Sequence, residues 1–183
     1  MTLPNKLTLT RIAAVPVFIL CYFYKLFFVA LIIFILASIT DLLDGKIARR
    51  DNLVTDFGKI MDPLADKILV YSALVLMVED NTLKAWVLLV ILAREFLVAG
   101  IRTVSAAKGK DVAAVFSGKL KTVFQMGATM VLLFAMALGK CNCQDVAYYF
   151  DLIGHIGMYV AVALTIYSGV EITIKNKEIF EEM

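Results

Sequence analysis

Long apolar runs, divided by short charged breaks, dominate this sequence. They extend from about Leu9 to Tyr24, Leu26 to Ile47, Lys59 to Val78, Leu83 to Ser105, Phe116 to Leu138 and Val146 to Ile174. A helix needs about 20 mostly apolar residues to cross a bilayer. In hydrocarbon no water pairs with the backbone, so a spanning segment must satisfy its own N–H and C=O groups, which a helix does locally. Composition agrees: 61% of the 183 residues are hydrophobic and mean hydropathy is +0.85, where soluble domains run at about half apolar. The pattern predicts an all-α, polytopic membrane protein with six transmembrane helices, with Met1 to Thr10 as a short N-terminal juxtamembrane segment. No Gly/Ser-rich linker, internal repeat or low-complexity tract interrupts it, so residues 1–183 read as one membrane domain.

The net charge of +2 excludes little, but the placement of the cations is informative. Six crossings put both termini on one side. That side receives Lys6, Arg11, Lys46, Arg49, Arg50, Lys108, Lys110, Lys175 and Lys177, whereas the other receives Lys25, Lys84 and Lys140. Basic loops stay in the cytoplasm, which places both termini and the Arg49 and Lys108 loops there, in a multi-pass protein of the cell membrane. The N-terminus resembles the basic start of a signal peptide but lacks a small-residue cleavage site, so the first run is read as a retained helix. Three cysteines make no disulfide framework. Cys21 falls in a helix and reads as packing. Cys141 and Cys143 could pair or bind metal, but no further Cys or His cluster supports either, and an idle loop is the better reading. His155, alone in an apolar stretch, reads as a packing residue.

Charges inside membrane helices are costly and mark function by default. The second and third runs carry four carboxylates in D-L-L-D-G and D-P-L-A-D: Asp41, Asp44, Asp62 and Asp66. Spacings of three and four put each pair on one helical face. The short connection makes the two helices antiparallel, with both pairs toward the cytoplasmic end. Converging carboxylates repel unless cations neutralise them. Two divalent ions bound by oxygen ligands, Mg²⁺ or Mn²⁺, do so. Gly45 lets a large ligand approach the backbone, Ala48 is small on the same face, and Arg49 is a fixed cation suited to phosphate. Together they point to a phosphate-bearing substrate bridging metal and arginine.

The stretch DLLDGKIARRDNLVTDFGKIMDPLAD fits D-x-x-D-G-x-x-A-R-x(8)-G-x-x-x-D-x-x-x-D at every specified position. It resembles the signature of the CDP-alcohol phosphotransferases, whose six helices would cover almost the whole chain. P-N-K-L-T at residues 4–8 is similar to the start of many members. The resemblance implies that Asp41, Asp44, Asp62 and Asp66 bind the metals and that Asp66 is also the catalytic general base. It implies that Gly45, Ala48 and Arg49 receive the cytidine diphosphate of the lipid, with Thr55, Asn5 and Thr8 as further candidates to hold it. It also implies a homodimer, and no nucleic-acid partner is expected.

Arg94 and Glu95 in A-R-E-F, then Arg102, then Lys119 and Lys121 in S-G-K-L-K-T, could form an anion pocket beside the metal site. Arg94, Arg102 and Lys119 are the candidate ligands of an acceptor phosphate. Arg94 could instead pair with an acidic side chain, and Lys119 and Lys121 could reach lipid headgroups along their aliphatic stems. These segments and the compact length resemble the branch of the family whose substrates are CDP-diacylglycerol and glycerol 3-phosphate. Inositol phosphate or phosphatidylglycerol are alternative acceptors. A cation transporter using the aspartates as an ion site is the alternative from another class, but it has no need of Gly45 and Arg49.

Overall fold

The computed structural model describes residues 3–50, 56–109, 115–141 and 143–177; the side chains of residues 3–8, 41–50, 56–63 and 66 lie outside the described part. Six helices and no strand occur among the described residues: α1 (Leu3–Phe23), α2 (Phe27–Arg50), α3 (Asp56–Glu79), α4 (Ala85–Ala107), α5 (Phe116–Lys140) and α6 (Gln144–Lys175). Each coincides with one of the apolar runs. Where the breaks fall has local causes. Lys25 takes a left-handed conformation (φ 58°), and the amides of Lys25 and Leu26 donate back to the carbonyls of Tyr22 and Cys21. This backward pairing satisfies carbonyls that the end of α1 would leave open, and it turns the chain directly into α2. Asn81 (φ 59°) closes α3 and Gly109 (φ 68°) closes α4.

Of Met1 to Thr10, read as a short juxtamembrane segment, the part from Leu3 onward is helical and continuous with the apolar part of α1. Pro4 does not prevent this, because a proline in the first helical turn gives up an amide that has no partner there anyway.

The core forms where α1 packs against α2 and α3, and α5 against α6 and α2. Phe18, Phe34, Leu74, Met77, Ile91, Leu132, Leu133 and Met158 are fully buried within it. The rings of Phe28 (α2), Phe134 (α5) and Phe150 (α6) meet edge to face. α4 rests against α6, with a second small cluster of Val98, Ile101 and Ile172.

Much apolar surface remains outside, including Leu20, Ile32, Leu36, Val75, Leu89, Phe96, Val123, Ile156 and Ile166. A soluble monomer rarely leaves so many large apolar side chains exposed. α5 and α6 are long and apolar enough to cross a membrane; α1 and α2 hold shorter apolar stretches, Leu9–Phe23 and Phe27–Thr40. α4 is interrupted by Arg94, Glu95 and Arg102.

His155 is more than packing. Its ring nitrogens lie 2.9 Å from the Asp151 carbonyl and 2.8 Å from the Thr82 carbonyl, tying α6 to the loop before α4. Cys141 and Cys143 are free and exposed at the α5–α6 turn.

Candidate functional site

The backbone at the aspartate positions is helical. α2 continues unbroken through Asp41, Asp44, Gly45, Ala48 and Arg49, and α3 through Asp62 and Asp66. Helical backbone at these positions gives each pair a shared face. Their side chains lie outside the described residues, as do those of Asn5 and Thr8, and Thr55 lies outside altogether. Four carboxylates are hard oxygen ligands of the kind that would suit Mg²⁺ or Mn²⁺. Among the described residues no other group of His, Cys, Asp or Glu could hold a metal ion.

Lys67, the residue after Asp66, belongs to a compact cluster of charged side chains among the described residues. Glu95 of α4 receives three cations. Lys121 of α5 lies 2.6 Å from Oε1, Lys67 of α3 lies 2.8 Å from Oε2, and Arg94 of α4 lies 3.1 Å from Oε1. Arg94 also donates from Nε to Ser168 Oγ of α6 at 3.2 Å. The Arg94 side chain runs between two glycines. A Cβ on Gly118 would stand 2.9 Å from its Nη2, and one on Gly169 would stand 3.2 Å from its Cγ. Only a helix without side chains at those positions leaves the guanidinium this path. Close by, Ser117 at the start of α5 donates to Glu171 of α6 at 2.6 Å, and Lys175 pairs with Glu171 at 2.7 Å.

The predicted acceptor residues therefore have different surroundings. Arg94 is half-buried and paired, as the structural alternative required. Arg102 and Lys119 are exposed and make no ion pair with a described residue. Lys119 directly follows Gly118, which borders Arg94, and Arg102 lies two turns along α4. Lys121, read as a candidate to reach the headgroups, is 3% exposed and turned inward onto Glu95. Its carboxylate partner within reach explains the difference, because a buried ammonium is tolerated when paired. Sequence reasoning missed Lys67, Glu95 as the hub, and Ser168. Arg11, counted only as an orienting charge, is also buried.

The chain matches the CDP-alcohol phosphatidyltransferase family over residues 1–167. It is 41% identical to the CDP-diacylglycerol–glycerol-3-phosphate 3-phosphatidyltransferase of Bacillus subtilis (strain 168), with 96% of this chain and 95% of that one covered. It is 42% identical to the protein of the same name from Rickettsia bellii, with 91% of each covered. It is 36% identical to that of Sodalis glossinidius, with 92% of this chain and 91% of the relative covered. A helical chain with an aspartate signature shared between α2 and α3, matched along nearly its full length, belongs to the CDP-alcohol phosphatidyltransferase family.

Proposed function

We propose that this protein transfers the phosphatidyl group of CDP-diacylglycerol to sn-glycerol 3-phosphate, forming phosphatidylglycerophosphate and CMP. The observation that carries this reading is the match of Asp41, Asp44, Gly45, Ala48, Arg49, Gly58, Asp62 and Asp66 to the family signature on two continuous helices. The acceptor follows from the relatives, which carry that activity in their names across more than nine-tenths of this chain.

The roles follow from the chemistry. Arg49, beside the small Gly45 and Ala48, offers a planar donor pair to the donor's diphosphate. Two Mg²⁺ or Mn²⁺ ions held by Asp41, Asp44, Asp62 and Asp66 would supply charge stabilisation for the diphosphate and the departing CMP. Asp66 takes the proton of the acceptor hydroxyl, whose oxygen then attacks the phosphorus bearing the diacylglycerol. The phosphoanhydride bond breaks, and CMP leaves with its electron pair. Arg94, Arg102 and Lys119 supply positive charge for the acceptor's own phosphate, which the donor diphosphate would otherwise repel.

The same reading makes the chain a single-domain, six-span protein of the cell membrane and a homodimer, with both termini and the site on the cytoplasmic side. At that edge the acyl chains stay in lipid while CMP departs into water. The test is an acceptor panel on purified protein with labelled CDP-diacylglycerol, following CMP release. Glycerol 3-phosphate should support turnover far better than free glycerol, serine or inositol phosphate. Chelation should abolish turnover and Mg²⁺ or Mn²⁺ restore it. Full activity after chelation removes metals from the reaction, and preference for another acceptor overturns the assignment.

A further inference from the structure

Glu95 lies well inside α4 and contacts three cations, although one would neutralise it. Among the described residues, Lys67, Arg94 and Lys121 bring three positive charges to the single carboxylate of Glu95, in a cluster of which only Lys67 is much exposed, at 45% of its side chain. The donors are not exhausted either. Each lysine has three N–H groups and Arg94 has five, and among the described residues Glu95 and Ser168 take only some of them. The contacts also join α3, α4, α5 and α6 at a single level. That level is one residue beyond Asp66 in α3, because Lys67 is the α3 member.

We propose that Glu95 is a positioning residue. It gathers Lys67, Arg94 and Lys121 so that their free donors and surplus charge meet a phosphate monoester dianion next to the turn of α3 that bears Asp66. A carboxylate suits this role because it fixes the cations without cancelling them. Its two oxygens divide the work. Oε1 draws Lys121 and Arg94 together, and Oε2 draws Lys67 across from α3. Loss of Glu95 leaves three like charges that repel one another and turn toward other partners. This inference rests on the glycerol 3-phosphate reading.

The experiment uses Glu95→Asp, whose carboxylate is one methylene shorter and cannot span Lys67 and Lys121 together, and Glu95→Gln. Both are purified in detergent beside the wild type. The Michaelis constant for glycerol 3-phosphate should rise about tenfold, as expected when a charge-assisted contact is lost. That for CDP-diacylglycerol should change less than about twofold. Inorganic phosphate should raise the melting temperature of the wild type and not that of the variants. A lowered melting temperature with an unchanged acceptor constant and intact phosphate response overturns the proposal, because Glu95 is then only a tie between helices. If the phosphate response is lost in the variants while the wild type prefers a different phosphorylated alcohol, the positioning role stands and the acceptor assignment fails. Lys67→Gln, at the exposed end of the cluster, carries the same readouts with the same meaning should neither Glu95 variant fold.

Discussion

Gly118 shows how little room the Arg94 guanidinium has. A methyl group there would stand 2.9 Å from Nη2, closer than real contacts allow, yet the atom it meets is the far end of a flexible side chain. The fold can therefore absorb Gly118→Ala, since Gly118 lies in the first turn of α5 and alanine is the better helix former. The site cannot absorb it, because the guanidinium must leave its place beside Ser168 and Glu95. We expect Gly118→Ala to keep or raise the melting temperature while the Michaelis constant for glycerol 3-phosphate rises roughly tenfold. Thermal denaturation and acceptor kinetics on the same preparation check both halves. An unchanged constant means Arg94 takes no part in acceptor binding.

At the scale of elements, the most extensive contact among the described residues is between α5 and α6, and Gly154 there leaves no room for a side chain against Leu132. A Cβ at Gly154 would meet Leu132 Cγ and Cδ2 at 2.7 Å and its backbone nitrogen at 3.3 Å. Leu132 is wholly buried, so it has nowhere to move. Small residues are what allow membrane helices to approach this closely, because lipid gives no hydrophobic push between them. Gly154→Val should cost about 1–3 kcal/mol by overpacking, read as a lower melting temperature in detergent. Gly139, with open space around its α-carbon, is the control, and Gly139→Ala should leave the melting temperature nearly unchanged. Equal behaviour of the two variants would show that the seam tolerates separation.

For the whole molecule, the question is which way the helices cross. The turn between α5 and α6 carries two exposed thiols, Cys141 and Cys143, which act as natural reporters. From the basic-residue asymmetry we expect that turn on the outer side. A membrane-impermeant maleimide added to intact cells should therefore label the wild type, and Cys141→Ser with Cys143→Ser should abolish labelling. In that background Lys84→Cys should restore it and Arg50→Cys should not. Labelling at Arg50→Cys alone would invert the topology and move the aspartates to the outer face.

The sequence by itself determined the order and approximate position of the helices, because each contains a long apolar run whose backbone can pair internally, and this requirement is local. It also determined the family, since Asp41, Asp44, Asp62 and Asp66 occur at spacings that helical periodicity alone converts into shared faces. That Leu3 to Phe23 is one helix was less legible, because Pro16 lies inside it and an interior proline removes a helical hydrogen bond. Tertiary structure alone decided what the cations do. Lys121 resembles any lysine near a membrane edge until α4 brings Glu95 within 2.6 Å. Lys67, Glu95, Lys121 and Ser168 come from four helices, and no periodicity within one helix encodes which residues of another it will face. That choice is made by packing, where Gly118 and Gly169 open a path for Arg94 and a buried carboxylate costs free energy unless cations reach it.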